Sequence, residues 1–272
     1  MGCSYGSLFL KKRKAIFLGG KKNEKNYFYA LGLLLIITVY GEPVFAAEQQ
    51  SVTTNGNIQF EPNTTEKPVI DPPIDTPQII APEVPAGVTG PLTITYAPTM
   101  NFGSQEISNQ DKEYSMIAEK QKSADGATDI PYVSFVQVQD TRGTNDGWTL
   151  SVTPSEFTNA DTKNKTLKGA QITLTDTKLK YSSEKESAPS IPKQEMALTP
   201  GTATKVMTAD KGKGAGTSSA YWGNQEELSN AKDSIVRNHA IKLSVPGKTV
   251  KDAVNYSASL TWKLETVPKN AI

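Results

Sequence analysis

The strongest constraint on this chain is a period of two. From Pro91 onward apolar residues alternate with polar ones in six segments: Leu92, Ile94 and Tyr96; Val136 and Val138; Trp148, Leu150 and Val152; Ile172 and Leu174; Ile241, Leu243 and Val245; Leu260, Trp262 and Leu264. Successive side chains of a β-strand point to opposite faces, so each segment has one apolar and one polar face. Sheets built from such strands bury their apolar faces against each other, which predicts an all-β fold, an antiparallel β-sandwich. No comparable helical period exists: Glu226 to Arg237 offers only Leu228, Ala231 and Ile235, enough for one short helix at most. The stretches 101–130, 181–203 and 209–230 read as long loop insertions, which are usually functional or mobile. One hairpin is expected, from the strand ending at Gln139 to the one starting at Trp148, because Asp146-Gly147 suits the positive φ of a tight exit.

The chain of 272 residues divides by composition before Pro91. Basic residues Lys21 to Lys25, the apolar run Leu31–Val39 and the small-residue end Val44-Phe45-Ala46-Ala47 describe a secretory signal peptide over 1–46, cleaved after Ala46. The apolar run is too short for a hydrocarbon layer of about 30 Å, so no membrane association is expected after cleavage. Residues 47–90 hold seven prolines and read as an extended, poorly packed, disordered spacer. Residues 91–272 form the expected β domain.

Charge follows the same division. The export segment carries seven basic and two acidic residues, the spacer one lysine and six acidic residues, and the domain 21 basic and 20 acidic. A near-neutral domain has no electrostatic footprint for nucleic acid and directs binding toward packing and hydrogen bonding.

Cysteine and histidine counts narrow the chemistry. Cys3 is the single cysteine and lies in the export segment, so the mature chain has no disulfide and no thiolate site; His239 is the single histidine and cannot make a multi-histidine metal centre. No cofactor is expected. An enzyme would need His239 as base with a serine such as Ser234 or Ser244 and an aspartate, and no Gly-x-Ser-x-Gly elbow accompanies them. Asp140, Asn145 and Asp146 fit a turn better than a calcium loop, and Lys211–Thr217 lacks phosphate-loop spacing. Leu198-Thr199-Pro200-Gly201-Thr202 is not a wall-sorting signal, so retention at a surface is expected to be non-covalent.

Two tryptophans share a pattern, Trp148-Thr149-Leu150 and Trp262-Lys263-Leu264, the second inside the frame Tyr256, Leu260, Thr261, Trp262, Leu264 and Pro268. With the signal peptide, the proline-rich spacer and the segment Pro98 to Gly103, this resembles the WxL domain of surface proteins of low-GC Gram-positive bacteria. The resemblance implies a non-enzymatic module that binds the cell wall, with peptidoglycan or another wall polymer as partner. It also implies company: other surface proteins of the same complex, in adhesion or polysaccharide capture.

Residue chemistry leaves two roles open for the motifs. Residues two apart share a face, so Trp148 with Leu150 and Trp262 with Leu264 are suited to a sandwich interior. Alternatively their indole faces stack on sugar rings. If the motifs are core, Tyr221-Trp222-Gly223, in a Gly- and Ser-rich loop, is the alternative binding site.

Overall fold

The computed structural model describes residues 55–62, 64, 67–85 and 88–266; the signal segment and Pro268 lie outside the described residues. Among the described residues there are thirteen strands: β1 Leu92–Tyr96, β2 Lys112–Ile117, β3 Glu119–Lys122, β4 Asp129–Tyr132, β5 Ser134–Asp140, β6 Trp148–Pro154, β7 Gln171–Leu174, β8 Lys178–Tyr181, β9 Met196–Leu198, β10 Thr204–Ala209, β11 Gly216–Trp222, β12 Arg237–Val245 and β13 Leu260–Thr266. All six alternating segments fall in these strands. The helical candidate reduces to α1, Gln225–Asn230, started by an Asn224 cap whose side chain accepts the amide hydrogens of Glu226 and Glu227.

Every strand pairing is antiparallel. The sheets run β1-β5-β11-β8, β10-β6-β13, β2-β12-β7-β9 and β3-β4. The first three contribute to one core: Val136, Val138 and Ala220 from the first, Leu150 and Val206 from the second, Ile172, Leu198 and Ile241 from the third. The fold is therefore an all-β antiparallel sandwich, as the alternation demands. A smaller cluster of Ile70, Ala118, Tyr132, Val133, Phe135 and Leu228 lies beyond β5.

Three local expectations are corrected. The strands ending at Asp140 and starting at Trp148 do not form a hairpin: β5 pairs with β1 and β11, and β6 with β10 and β13. Both are almost wholly buried central strands, each with two neighbours already, so the connection turns a corner between sheets. Arg142 shapes that corner, donating to Asp140 at 2.7 Å and to the Gly147 carbonyl at 3.0 Å. The expected insertions also contain strands: β2 and β3 in the first, β9 in the second, β11 in the third. Ser218, Ser219 and Ala220 are buried in the central strand β11, between β5 and β8; Ser219 accepts a hydrogen bond from Gln137 at 3.0 Å.

The third correction concerns the spacer. Its chain is extended, as its prolines require, but residues 68–84 are packed. Ile70 is only 3% exposed, and Ile74, Ile79, Ala81 and Val84 lie against the smaller cluster. Asp71 N–H donates to Gln137 Oε1 at 3.1 Å, Gln137 Nε2 donates to the Asp71 carbonyl at 2.6 Å, and Ile74 N–H donates to Tyr132 Oη at 2.9 Å. Lys180 meets Asp71 at 3.1 Å and Asp75 at 3.3 Å. Ile70→Ala is expected to lower stability by about 2–4 kcal/mol in urea denaturation, whereas a solvated spacer would give no change.

Glu119, at the start of β3, is an acid placed without a cation. Its Oε2 is enclosed and unpartnered, while Oε1 accepts from Tyr96 Oη at 3.1 Å and Thr99 N–H at 3.0 Å. Desolvation raises its pKa above the ordinary 4.5, opposed in part by those donors. A folded-state value above the unfolded one means stability is fullest below 4.5 and falls as pH rises through the elevated value. Asp252, held down at about 2 by Thr162 and Asn164, loses its contribution only at lower pH and so adds no decline in that window. Melting curves taken between pH 4 and pH 8 are expected to show a smaller decline for Glu119→Gln than for the parent protein.

Candidate functional site

Two tryptophan-bearing strands form the centre of the molecule. β6 and β13 are neighbours, with Leu264 opposite Leu150, Trp262 opposite Val152 and Thr266 opposite Trp148. Opposed residues of an antiparallel pair share a face, so both Trp-x-Leu pairs point inward together. Trp148 and Leu150 are fully enclosed. The Trp148 indole N–H donates to the Gly214 carbonyl at 3.0 Å within the core. Gly214 is required there: its φ is +78°, and a Cβ would stand 2.6 Å from that indole nitrogen.

Trp222 on β11 is also fully enclosed, donating its indole N–H to Thr177 Oγ1 at 2.9 Å. Its ring lies 6.4 Å from that of Trp262, tilted by 41°. Trp262 and Leu264 themselves remain half-buried; β13 has β6 on one side and, among the described residues, no strand on the other. Tyr221 points to the opposite face of β11 from Trp222 and packs, half-buried, on the smaller cluster. Among the six expected binding residues, Trp148, Leu150 and Trp222 thus offer no surface to a ligand in this structure. Trp262, Leu264 and Tyr221 offer part of one.

Concave surface occurs elsewhere. A groove of about 540 Å³ runs between α1 and β12, lined by Glu227, Ala231, Asp233, Ser234, Ile235, Arg237 and His239. It exists because β12 bulges: the register against β2 slips between Asn238 and Lys242. A bulge of this kind bends the strand and re-aims side chains. Buried Asn238 fixes it, donating to the Trp222 carbonyl at 3.0 Å and accepting the Ala240 amide hydrogen at 3.1 Å. Ser115 of β2 then anchors both basic residues, its carbonyl accepting from Arg237 Nη1 at 2.8 Å and its Oγ lying 3.0 Å from His239 Nδ1. A second groove, about 450 Å³, presents Thr153, Ser155, Ser259 and Thr261 with the carboxylate of Glu156.

Neither a hydrolytic triad nor a metal centre is assembled from the expected groups. The hydroxyl at His239 is that of Ser115, while Ser244 donates to the Gln171 carbonyl at 3.2 Å. Among the described residues no carboxylate hydrogen-bonds to the imidazole, and no group of three or more His, Cys, Asp or Glu side chains could hold a metal. Asp140 is engaged by Arg142 at 2.7 Å instead of standing free for calcium.

Residues 47–268 match the family model described as WxL domain surface cell wall-binding. The chain belongs to the WxL domain family. No match was found among curated proteins or solved structures. In this WxL domain the two signature pairs sit on adjacent strands and close one core, so their first contribution is packing. The expected Tyr221-Trp222-Gly223 loop is the end of a strand, which separates the two rings onto opposite faces. Sequence reasoning missed the role of Arg237 and weighed His239 only as a base, because the bulge that aims them follows from pairing with β2, over 100 residues away. The neutral cue available was the interruption of alternation at Asn238-His239-Ala240.

Burial ranks the tryptophans. Trp148→Ala is expected to cost about 3–5 kcal/mol, and Trp262→Ala on the open edge roughly half of that. Gly214→Ala combines positive φ with overlap against Trp148 and is expected to cost about 2–5 kcal/mol. Guanidinium unfolding of the three variants checks the order, and an equal loss for Trp148→Ala and Trp262→Ala would contradict it.

Proposed function

We propose that the protein is exported and attaches non-covalently to the outside of the Gram-positive wall, with peptidoglycan as its direct ligand, and performs no catalysis. The family match over residues 47–268 carries this reading, since cell wall binding is what that family model describes. The structure adds where contact is to be sought. With Trp148, Leu150 and Trp222 closed off, the candidates for contact are Trp262 and Leu264 at the β13 edge, Tyr221, and the two grooves. Among the described residues no helix is long and apolar enough to cross a membrane.

A second reading is an interaction subunit of a multi-protein surface complex, in adhesion or polysaccharide capture, that reaches the wall through another protein. The open edge of β13 favours it. An unpaired strand edge is a template for a strand from a partner chain, and half-exposed Trp262 and Leu264 would supply side-chain contacts there.

Co-sedimentation separates the two. The chain from Ala47 is expected to pellet with purified, protein-free peptidoglycan and to release no soluble sugar or peptide from it. Pelleting that requires an added surface protein supports the second reading and overturns direct binding; release of soluble fragments overturns the non-catalytic assignment.

A further inference from the structure

The groove between α1 and β12 holds charges of both signs that the protein leaves unused. Glu227 and Asp233 lie on one run of chain, Arg237 and His239 on the bulged strand that follows, and among the described residues none of the four belongs to an ion pair. Their partners in the protein are few. Asn224 Nδ2 donates to Glu227 Oε1 at 3.2 Å, and Ser115 occupies one nitrogen of Arg237 and one of His239. Among the described residues Arg237 Nη2, Nε of that guanidinium, His239 Nε2, Glu227 Oε2 and both Asp233 oxygens have no hydrogen-bond partner. Between the two sets stands Ile235, a large apolar side chain 51% exposed.

A ligand matched to such a groove carries an ammonium, a carboxylate and an aliphatic stretch between them. Its net charge is near zero, in keeping with a domain of 21 basic and 20 acidic residues that exerts no long-range pull on a polyion. The cavity, about 540 Å³, is of the size that takes a short peptide segment. We propose that this groove is a binding site for the free end of a short zwitterionic peptide, Arg237 and His239 taking the carboxylate and Glu227 and Asp233 the ammonium. Resting on the wall-binding reading, this makes the uncross-linked peptide of peptidoglycan, and not its glycan strand, the part that the groove recognises.

Because His239 is the single histidine, its ring protons give one resolved reporter in an NMR titration of the chain from Ala47. The probe is Nα-acetyl-L-lysyl-D-alanyl-D-alanine, which carries one ammonium and one carboxylate, compared with its C-terminal amide, its fully N-acetylated form and the N-acetylglucosamine tetramer. The tripeptide is expected to shift the His239 signals saturably, and amidation or acetylation to weaken binding roughly fivefold or more. Arg237→Gln and Asp233→Asn are each expected to weaken it by a similar factor. Asp233 makes no hydrogen bond within the protein, so its variant keeps the test sound if loss of the Arg237 contact to Ser115 disturbs folding. Unmoved His239 signals at about 10 mM tripeptide, or equal shifts from the amide or the sugar tetramer, overturn the proposal. If the tripeptide fails while the protein still pellets with peptidoglycan, the groove assignment falls and the wall reading stands. If the tripeptide binds and nothing pellets, the reverse holds.

Discussion

The pairing of β6 with β13 is the contact on which the rest of the structure depends. It joins Leu150 to Leu264 and Val152 to Trp262 across more than 100 residues of intervening chain. β6 is the central strand of its sheet, and its enclosed side chains meet residues of both larger sheets in the main core. A buried tryptophan removes about 150–250 Å² from water, and Trp148 does so with its one polar atom satisfied by Gly214. Without that carbonyl, burial of the indole would leave an unpaired donor, which costs about 1–3 kcal/mol. The position of Gly214 and its positive φ are thus tied to one side chain.

Enclosing the tryptophans has a consequence for recognition. Side chains spent on the interior cannot also stack on a wall polymer, so the proposed contacts are sought where sheet regularity ends. Two such places are physically distinct. The β13 edge is open because no second strand pairs with it among the described residues, and the β12 groove is open because a bulge pushes Arg237 and His239 out of the ladder. The bulge is tied to the core by Asn238, whose amide bonds to the Trp222 carbonyl beside Gly223. A surface feature is thereby held in place by a buried polar group with its hydrogen bonds satisfied, the arrangement that makes a site rigid instead of adaptable.

Strand identity was legible in the sequence wherever one face is apolar and the other polar, which is why Trp148 to Val152 and Leu260 to Leu264 could be placed. β11 was not, because its first five residues are small or polar, so no large apolar side chain alternates there and Gly216-Thr217-Ser218-Ser219-Ala220 imitates a loop in composition. The hairpin expectation failed for a related reason: Asp-Gly fixes a local turn but does not say which sheet the next strand enters. Of the candidate site, the tryptophans were found and their two possible roles were stated, but the groove was invisible. It arises from Ser115 meeting His239 across 124 positions, a relation that no local pattern records.

The packed spacer shows how little chain is needed to fix a segment with no periodic pattern. Its anchors are isolated residues, Ile70, Asp71 and Ile74, set among prolines that already hold the backbone extended and so reduce the entropy lost on docking. Of the forces available, the ion pairs of Lys180 with Asp71 and Asp75 are the weakest, because Asp75 is 89% exposed and surface pairs contribute about 0–1 kcal/mol. Burial of an isoleucine contributes about 1.5–3 kcal/mol, and the reciprocal bonds between Asp71 and Gln137 add to it. Docking is thus governed by Ile70 and Gln137, and the acidity of the spacer does not determine it. Two of its six carboxylates are answered locally by one lysine, so the negative charge available to act at a distance is smaller than composition alone implies.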